Sequence, residues 1–410
     1  MQKRLVALAV AGALGAPAAA LAQSSTVQVF GTVYVEYTVR AEQGDSPAAG
    51  FPERSDADFL QTPGSEIGFK GEEKLGGGLS AWFQCISTAD PRGQSQEGFC
   101  ARNSALGLKG GFGNVFVGNW DMPFKRSISP ALVGGNQTGI FGTSFLLSGG
   151  STTTSFPGAG IGGAGSGGRG IFLRRQNSSI NYDSPNFGGF QLMAAFTASQ
   201  PSTGTLDAAN NNKPRVYSLG GQYSAGPIYV SAGYQRATDA NGGGAVVPVG
   251  PLTAREGDET GWHVGAAYTW GPVRIGGAYT RQEVELGTVG APSEVKYRAW
   301  HVGVDWKIVG PHGLRAAYTK AQDTKGSGVT GGVTGSSVTR PGYTAGGNNN
   351  NGADLMQIRY VYTFSKRTEF TLGYVRLDND DVGTYNLGGL STPRAGEDQN
   401  AWALAVRHKF

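Results

Sequence analysis

Alternation of apolar and polar residues, repeated along almost the whole chain, limits what this sequence can fold into more than any other feature. In the first such stretch Val29, Val33 and Tyr37 fall on one face of an extended strand, and Thr32 and Glu36 fall on the other. The stretches predicted as strands on this pattern, sixteen in all, are 27–37, 64–71, 79–88, 101–109, 114–120, 171–182, 190–198, 215–224, 227–236, 261–270, 272–283, 296–308, 313–322, 354–364, 368–378 and 400–410. Beyond residue 22 there is no run of about 18 apolar residues, which argues against membrane-spanning helices.

The connections between these stretches are of two kinds that alternate along the chain. Short turns rich in Gly and Pro lie at 74–78, 110–114, 184–189, 224–227, 270–272, 310–313 and 364–367. Long polar connections lie at 41–63, 87–99, 121–170, 199–213, 237–260, 284–295, 323–352 and 379–399. This alternation predicts an all-β, 16-stranded antiparallel transmembrane β-barrel with short periplasmic turns and long external loops. Closure is required because every backbone N–H and C=O must be paired internally in lipid; fourteen or eighteen strands would also fit the chain length.

The composition agrees with a barrel and excludes some other classes. Gly accounts for 68 of 410 residues and charged residues for only 16%, which is unlike an ordinary soluble domain. A mean hydropathy of -0.25 fits a barrel in which only alternate residues face lipid and the interior is polar. The formal net charge is +4, to which Lys3 and Arg4 contribute, so the balance gives no case for nucleic-acid binding.

The N-terminal residues have the parts of a secretion signal. Residues 1–4 supply positive charge, 5–16 are apolar, and 20–22 form a small-x-small cleavage site. We therefore expect a signal peptide at 1–22 and an exported barrel at 23–410. A retained anchor is the alternative, but the stretch is too short and too rich in Ala and Gly to span about 30 Å of hydrocarbon.

The C-terminal residues form a strand with one apolar face. Trp402, Leu404 and Val406 share that face, whereas Arg407 belongs to the other, and the chain stops at Phe410. A terminal aromatic residue on the lipid-facing phase is typical of an outer-membrane barrel. We interpret Phe410 as its insertion and assembly signal.

Six segments resemble the trimeric general porins of Gram-negative bacteria, especially the beta-proteobacterial type. They are Phe-Gly-Thr-Val at 30–33, Gly-Phe-Lys-Gly-Glu-Glu-Lys-Leu-Gly-Gly-Gly-Leu at 68–79, Leu-Gly-Leu-Lys-Gly-Gly-Phe-Gly at 106–113, Asn-Ser-Ser-Ile-Asn-Tyr-Asp-Ser-Pro at 177–185, Phe-Ser-Lys-Arg-Thr at 364–368 and Arg-His-Lys-Phe at 407–410. The resemblance implies a homotrimer of barrels in the outer membrane, each with its own pore for small hydrophilic solutes. It implies no cofactor and no catalysis. The expected partners are outer-membrane lipid and lipopolysaccharide, periplasmic chaperones and the barrel-assembly machinery.

The connection at 121–170 is by far the longest. The resemblance implies that the third external loop folds inward and narrows the channel at mid-height, and this connection stands in that place. On composition alone a floppy surface loop is the alternative. Its first part contains Phe124, Ile128, Ile140 and Phe141, and we expect these apolar side chains to pack inside the barrel as a constriction loop.

Strand phase predicts which charged side chains face the pore. Placing Ile67 and Phe69 outward puts Glu66 and Lys70 inward. By the same argument the other inward charged residues are Glu36, Arg274, Asp305, Arg315, Arg359, Arg407 and Lys409. In the resembled family, wall arginines oppose carboxylates of the inward loop, and Arg102 and Arg175 stand at matching positions. The sequence departs from the family at two positions. Glu66 stands where the family usually has a wall arginine in the second strand, and Tyr34 stands where it usually has an aspartate in the first.

The inward loop carries more basic than acidic residues. Its charged residues are Asp121, Lys125, Arg126 and Arg169. Fixed charge in a pore enriches counter-ions and sets selectivity, so we predict weak anion preference. Pairing of Glu66 with Arg102 or Lys70 would cancel part of the effect. Taken singly, Arg315 or Arg359 could equally be a solvated residue with no influence on transport.

Cys85 and Cys100 are the two cysteines of the chain and flank one external loop. In an exported protein they are expected to form a disulfide, with two free thiols as the alternative. His263 and His301 occur in repeated Trp-His-Val-Gly contexts and are interpreted as ordinary lumen-facing residues. The acidic stretches at 258–259 and 378–381 could bridge calcium or lipopolysaccharide, although solvated loops explain them as well.

Three functions remain open on the sequence. A general diffusion channel is favoured. A substrate-preferring porin for organic anions is the closest alternative, and an outer-membrane adhesin or barrel phospholipase belongs to a different class. No Ser/His/Asp arrangement can be placed on one face near the rim, so the chain is not expected to be an enzyme.

Overall fold

A computed structural model describes residues 27–43, 57–94, 98–135, 138–148, 171–173, 175–197, 215–238, 258–288, 291–327, 350–388, 390 and 393–410. The predicted signal peptide and the second half of the long loop, residues 149–170, lie outside these ranges. Within them, no helix has the length and apolar character needed to cross a membrane.

The described residues form one antiparallel sheet that closes on itself. Its strands are β1 (Gln28–Gln43), β2 (Ala57–Gln61), β3 (Glu66–Gly76), β4 (Leu79–Thr88), β5 (Ser104–Gly110), β6 (Gly113–Asp121), β7 (Arg175–Asp183), β8 (Phe190–Thr197), β9 (Arg215–Ala225), β10 (Ile228–Thr238), β11 (Glu259–Trp270), β12 (Val273–Thr288), β13 (Ala291–Val309), β14 (His312–Ala321), β15 (Lys325–Ser327), β16 (Ala353–Thr363), β17 (Thr368–Asn379) and β18 (Gln399–Lys409). β2 and β3 both pair with β1, and β14 and β15 both pair with β13, so each pair fills one place in the wall. The wall is therefore a closed 16-stranded barrel, as predicted.

The ring closes where the two ends of the chain meet. β1 and β18 pair over most of their length, and the N–H groups of Gly31 and Phe410 each donate to the carbonyl of the other at 3.1 Å. Trp402, Leu404 and Val406 are exposed on the outside of the barrel, whereas the alanines between them are buried inside. The alternation in the sequence is therefore the alternation between lipid and lumen.

Several predicted boundaries differ from the structure, and the connections predicted at 41–63 and 323–352 contain the short strands β2 and β15. The stretch predicted at 171–182 begins with a 3₁₀ turn, Ile171–Leu173, and its strand starts at Arg175; the one predicted at 101–109 starts at Ser104. The connection predicted at 284–295 is instead a long hairpin, in which β12 and β13 continue pairing as far as Thr288 and Ala291. Polar strand residues beyond the membrane resemble a loop in sequence because neither face has to be apolar there.

The described part of the third external loop, residues 121–135 and 138–148, lies inside the barrel, as the resemblance implied. It contains helix α1 (Pro123–Ile128), a 3₁₀ turn (Ser129–Ala131) and helix α2 (Ser144–Leu147). Phe124, Ile128, Ile140 and Phe141 are fully buried and form one apolar cluster with inward residues of the wall. The apolar core of this protein is thus the contact between loop and wall.

Glycines on the inward face of the wall make room for this loop. A Cβ built on Gly303 would lie 1.9 Å from the carbonyl oxygen of Val133, and one on Gly276 would lie 2.7 Å from that of Ala131. The loop backbone therefore rests directly on β12 and β13, closer than any side chain would allow.

Candidate pore lining

Side chains of the wall hold the carbonyl groups of the loop. His301 Nε2 lies 2.9 Å from the oxygen of Val133, and Arg359 Nη2 donates to the oxygen of Gly134 at 2.5 Å. His263 Nε2 lies 2.9 Å from Ser127 Oγ. Both histidines are buried. They are therefore more than ordinary lumen-facing residues, because they fix the path of the loop.

Glu36 secures the far end of the loop. Its carboxylate is fully buried and accepts hydrogen bonds from the Ile140 N–H at 2.9 Å, the Tyr34 hydroxyl at 2.8 Å and the Gln61 amide at 2.5 Å. Tyr34 stands where the resembled family usually has an aspartate. Here its hydroxyl orients the carboxylate that anchors the loop.

The loop charges that lie within the described residues, at positions 121, 125 and 126, are paired; Arg169 lies outside those residues. Lys125 Nζ lies 2.7 Å from Asp121, and Arg126 makes two bonds to Asp183, at 2.8 and 2.6 Å. Arg175 stands opposite Asp121 in the β6–β7 register. The positive charge of the described loop residues is thus cancelled, partly by Asp183, which lies outside the loop.

A second paired group lies on the wall beside the second external loop, residues 87–99. Arg102 Nε binds Glu66 at 3.0 Å, which is one of the two pairings considered from the sequence. The predicted disulfide between Cys85 and Cys100 is present and holds the chain just before Arg102. In the same external loop the Arg92 side chain binds Asp90 and holds the pKa of that carboxyl at about 2.

A belt of mostly basic residues lies on the inner wall between β12 and β18. Arg274, Asp305, Arg315 and Arg359 stand opposite one another in successive strands. Glu369, which the sequence analysis did not single out, binds Arg315 at 3.2 Å and Arg407 at 2.5 Å. Its place on the inward face of β17 could have identified Glu369 from the sequence as a lumen-facing residue.

A cavity of about 270 Å³ opens where this belt faces the loop. Its charged lining is Arg315, Arg359, Glu369, Arg407 and Lys409. Four basic side chains therefore surround one carboxylate. Among the described residues, Lys409 makes no ion pair, whereas Arg274 reaches the carbonyl of Pro130 at 3.1 Å.

Arg359 is not solvated, which was the alternative that the sequence left open for it. It is fully buried beneath the loop, and its guanidinium lies 5.1 Å from the centre of the Phe141 ring. It therefore holds the loop against the wall through the Gly134 carbonyl and the Phe141 ring.

A model of the Gram-negative porin family matches residues 7–382. The chain belongs to this family. Outer membrane porin protein 32 of Delftia acidovorans is 28% identical to this porin over the full length of both chains. The major outer membrane protein P.IB of Neisseria gonorrhoeae is 31% identical over 46% of each chain.

Solved structures have the same fold. The anion-selective porin from Comamonas acidovorans superposes with a TM-score of 0.66 at 22% identity, covering 94% of this chain and all of that one. OmpT of Vibrio cholerae gives 0.60 at 16% identity. This porin is a channel protein of the outer membrane. Within the described parts of its chain, no group of His, Cys, Asp and Glu side chains could hold a metal ion.

Proposed function

We propose that this porin is a passive diffusion channel for small hydrophilic solutes and ions, with a weak preference for anions. The constriction lies between the inward loop and the wall. One observation carries the proposal: four basic side chains and one carboxylate line the cavity between the loop and β14–β18. Net positive charge in a narrow, partly desolvated passage raises the local concentration of anions.

In this scheme the charge that sets selectivity lies in the belt and not at the positions that the resemblance indicated. Arg102, Lys125 and Arg126 are all paired with acidic side chains. Arg315 and Arg407 share Glu369, and Arg315 also lies 3.8 Å from Asp305. Arg274, Arg359 and Lys409 belong to the same belt, which therefore keeps a positive excess over these two carboxylates. The anion selectivity named for the Comamonas porin supports the same direction.

The assembly is also proposed. A homotrimer is supported by the family and by the trimer form described for the Vibrio OmpT structure. Cleavage of the signal peptide after Ala22 precedes folding in this scheme. Its partners are lipopolysaccharide at the cell surface, and the chaperones of the periplasm and the barrel-assembly machinery during folding.

Reversal potential in a salt gradient across a planar bilayer tests the selectivity. We expect the double variant Arg315→Gln/Arg407→Gln to lower the anion-to-cation permeability ratio about two- to fivefold. A unit charge about 4 Å from a passing ion contributes about 1 kcal/mol even in water, and about 1.4 kcal/mol is tenfold in local concentration.

Arg376→Gln is the matched control. Arg376 lies on the outward phase of β17 and pairs with Asp378, so the change removes one positive charge outside the lumen. It should leave the ratio unaltered. A wild-type preference for cations would contradict the proposal, as would equal effects of the lumen and control variants.

A further inference from the structure

An aromatic surface lines the open side of the lumen. Trp82, Phe116 and Trp120 lie on the inner wall of β4 and β6, with ring centres 5.1 to 5.8 Å apart. Phe116 is buried beneath the two indoles, which remain partly exposed. Large aromatic side chains normally bury their surface, so two indoles facing a water-filled passage need an explanation.

Local packing fixes the orientation of the Trp82 indole on the inner wall. Gly107 stands opposite both Trp82 and Phe116, and a Cβ on Gly107 would lie 2.6 Å from the Trp82 ring. The indole therefore lies across Gly107, against the wall. Its N–H donates to Asn114 Oδ1 at 2.7 Å, so the polar edge is satisfied and the free surface is apolar.

Positive charge surrounds this aromatic surface. Lys70 and Lys109 are diagonal neighbours of Trp82 in the sheet, since they stand opposite Gln84 and Ser80. Glu72, directly opposite Trp82, is held by both Lys74 and Lys109. Among the described residues Lys70 makes no ion pair, and its ammonium lies 4.9 Å from the Phe30 ring centre. Three lysines thus accompany one glutamate.

We propose that Trp82 and Trp120, together with Lys70, form a binding site for small aromatic carboxylates passing through the pore. The ring of the solute stacks on the indoles while its carboxylate meets the lysine ammonium. This inference rests on the proposed channel function and narrows its substrate class. An aromatic ring without charge, or a carboxylate without a ring, satisfies only half of the site.

The test compares three probes on the full chain reconstituted in planar bilayers. Benzoate, acetate and benzylammonium are each titrated at constant potassium chloride while the chloride conductance is recorded. We expect benzoate to reduce the conductance saturably, at a concentration at which acetate and benzylammonium have little effect. Trp82→Ala and Trp120→Ala should each raise the benzoate dissociation constant about two- to tenfold, as for loss of one aromatic contact.

Further variants separate binding from folding. Lys70→Gln should weaken benzoate binding and should strengthen that of benzylammonium, because the ammonium that repels it is gone. Trp82→Phe, which keeps a ring, should bind benzoate more tightly than Trp82→Ala. Trp402→Phe on the lipid-facing side is the control. The wild-type comparison of probes decides the matter even if a variant fails to fold.

Each failure has a distinct meaning. If the wild-type chain gives no conductance, the proposed channel function is wrong. If it conducts but benzoate and acetate act equally, or benzylammonium acts more strongly than benzoate, the aromatic carboxylate site is wrong and the channel stands.

Discussion

The inner wall of this porin has two regions built from opposite kinds of residue. From β9 to β17 glycines such as Gly276 and Gly303 let the loop backbone rest directly on the sheet, and His301 and Arg359 hold it there by hydrogen bonds. From β3 to β6 the inward side chains are aromatic or charged, and Trp82 and Trp120 remain partly exposed. Inward glycines thus mark the places where the loop backbone rests on the wall.

The two regions are also stabilised differently. The loop-covered region depends on packing and on buried hydrogen bonds, such as those of His301 and Glu36. The open region depends on ion pairs, the aromatic cluster and the disulfide between Cys85 and Cys100. Changes in the two regions should consequently affect different measurements.

Removing the disulfide should have the largest effect on stability. The cysteines are separated by 15 residues, and a loop of that length corresponds to about 3 kcal/mol of unfolding free energy. We expect Cys85→Ser/Cys100→Ser to lower the stability of the detergent-solubilised barrel in denaturant by that order. Reduced wild-type protein should match the double variant. Equal stability of oxidised and reduced chains would show that this region needs no covalent support.

Adding a methyl group in the loop-covered region should lower stability less than loss of the disulfide, but it should clearly change conductance. In Gly303→Ala the new methyl group meets the backbone of Val133, and overpacking of this kind costs about 1–3 kcal/mol. The loop has to move away from the wall, so single-channel conductance should change.

The control for this change lies on the outward face of the barrel. A Cβ on Gly221 would lie 3.5 Å from its nearest neighbour, a methyl group of Leu192, which is an ordinary contact. Gly221→Ala should therefore keep the wild-type conductance. If both alanine variants conduct like the wild type, close approach of loop and wall is not what fixes the path of the loop.

The sequence predicted the strands and their phases because a period of two residues is a local property that lipid and water enforce on every strand. It missed the end of the β12–β13 hairpin because residues 284–295 contain two glycines and a proline besides Glu285 and Glu294, and they therefore resemble a loop. Most ion-pair partners could not be predicted from the sequence. Arg126 and Asp183 are 57 residues apart, and their meeting depends on how the loop enters the barrel. Inward glycines such as Gly303 were a readable but unused sign of the loop path.

The smallest expected effect concerns Arg102, a position that the family resemblance marked as selective. Its guanidinium binds Glu66 at 3.0 Å, and two opposite charges so close together largely cancel at the distance of a passing ion. Arg102→Gln/Glu66→Gln should therefore leave the reversal potential unchanged. Arg102→Gln alone leaves a carboxylate and should lower the anion preference, whereas Glu66→Gln alone should raise it. A double variant that shifts the reversal potential as far as the Arg102 single variant would place part of the selective charge in the open region and weaken the role given to the belt.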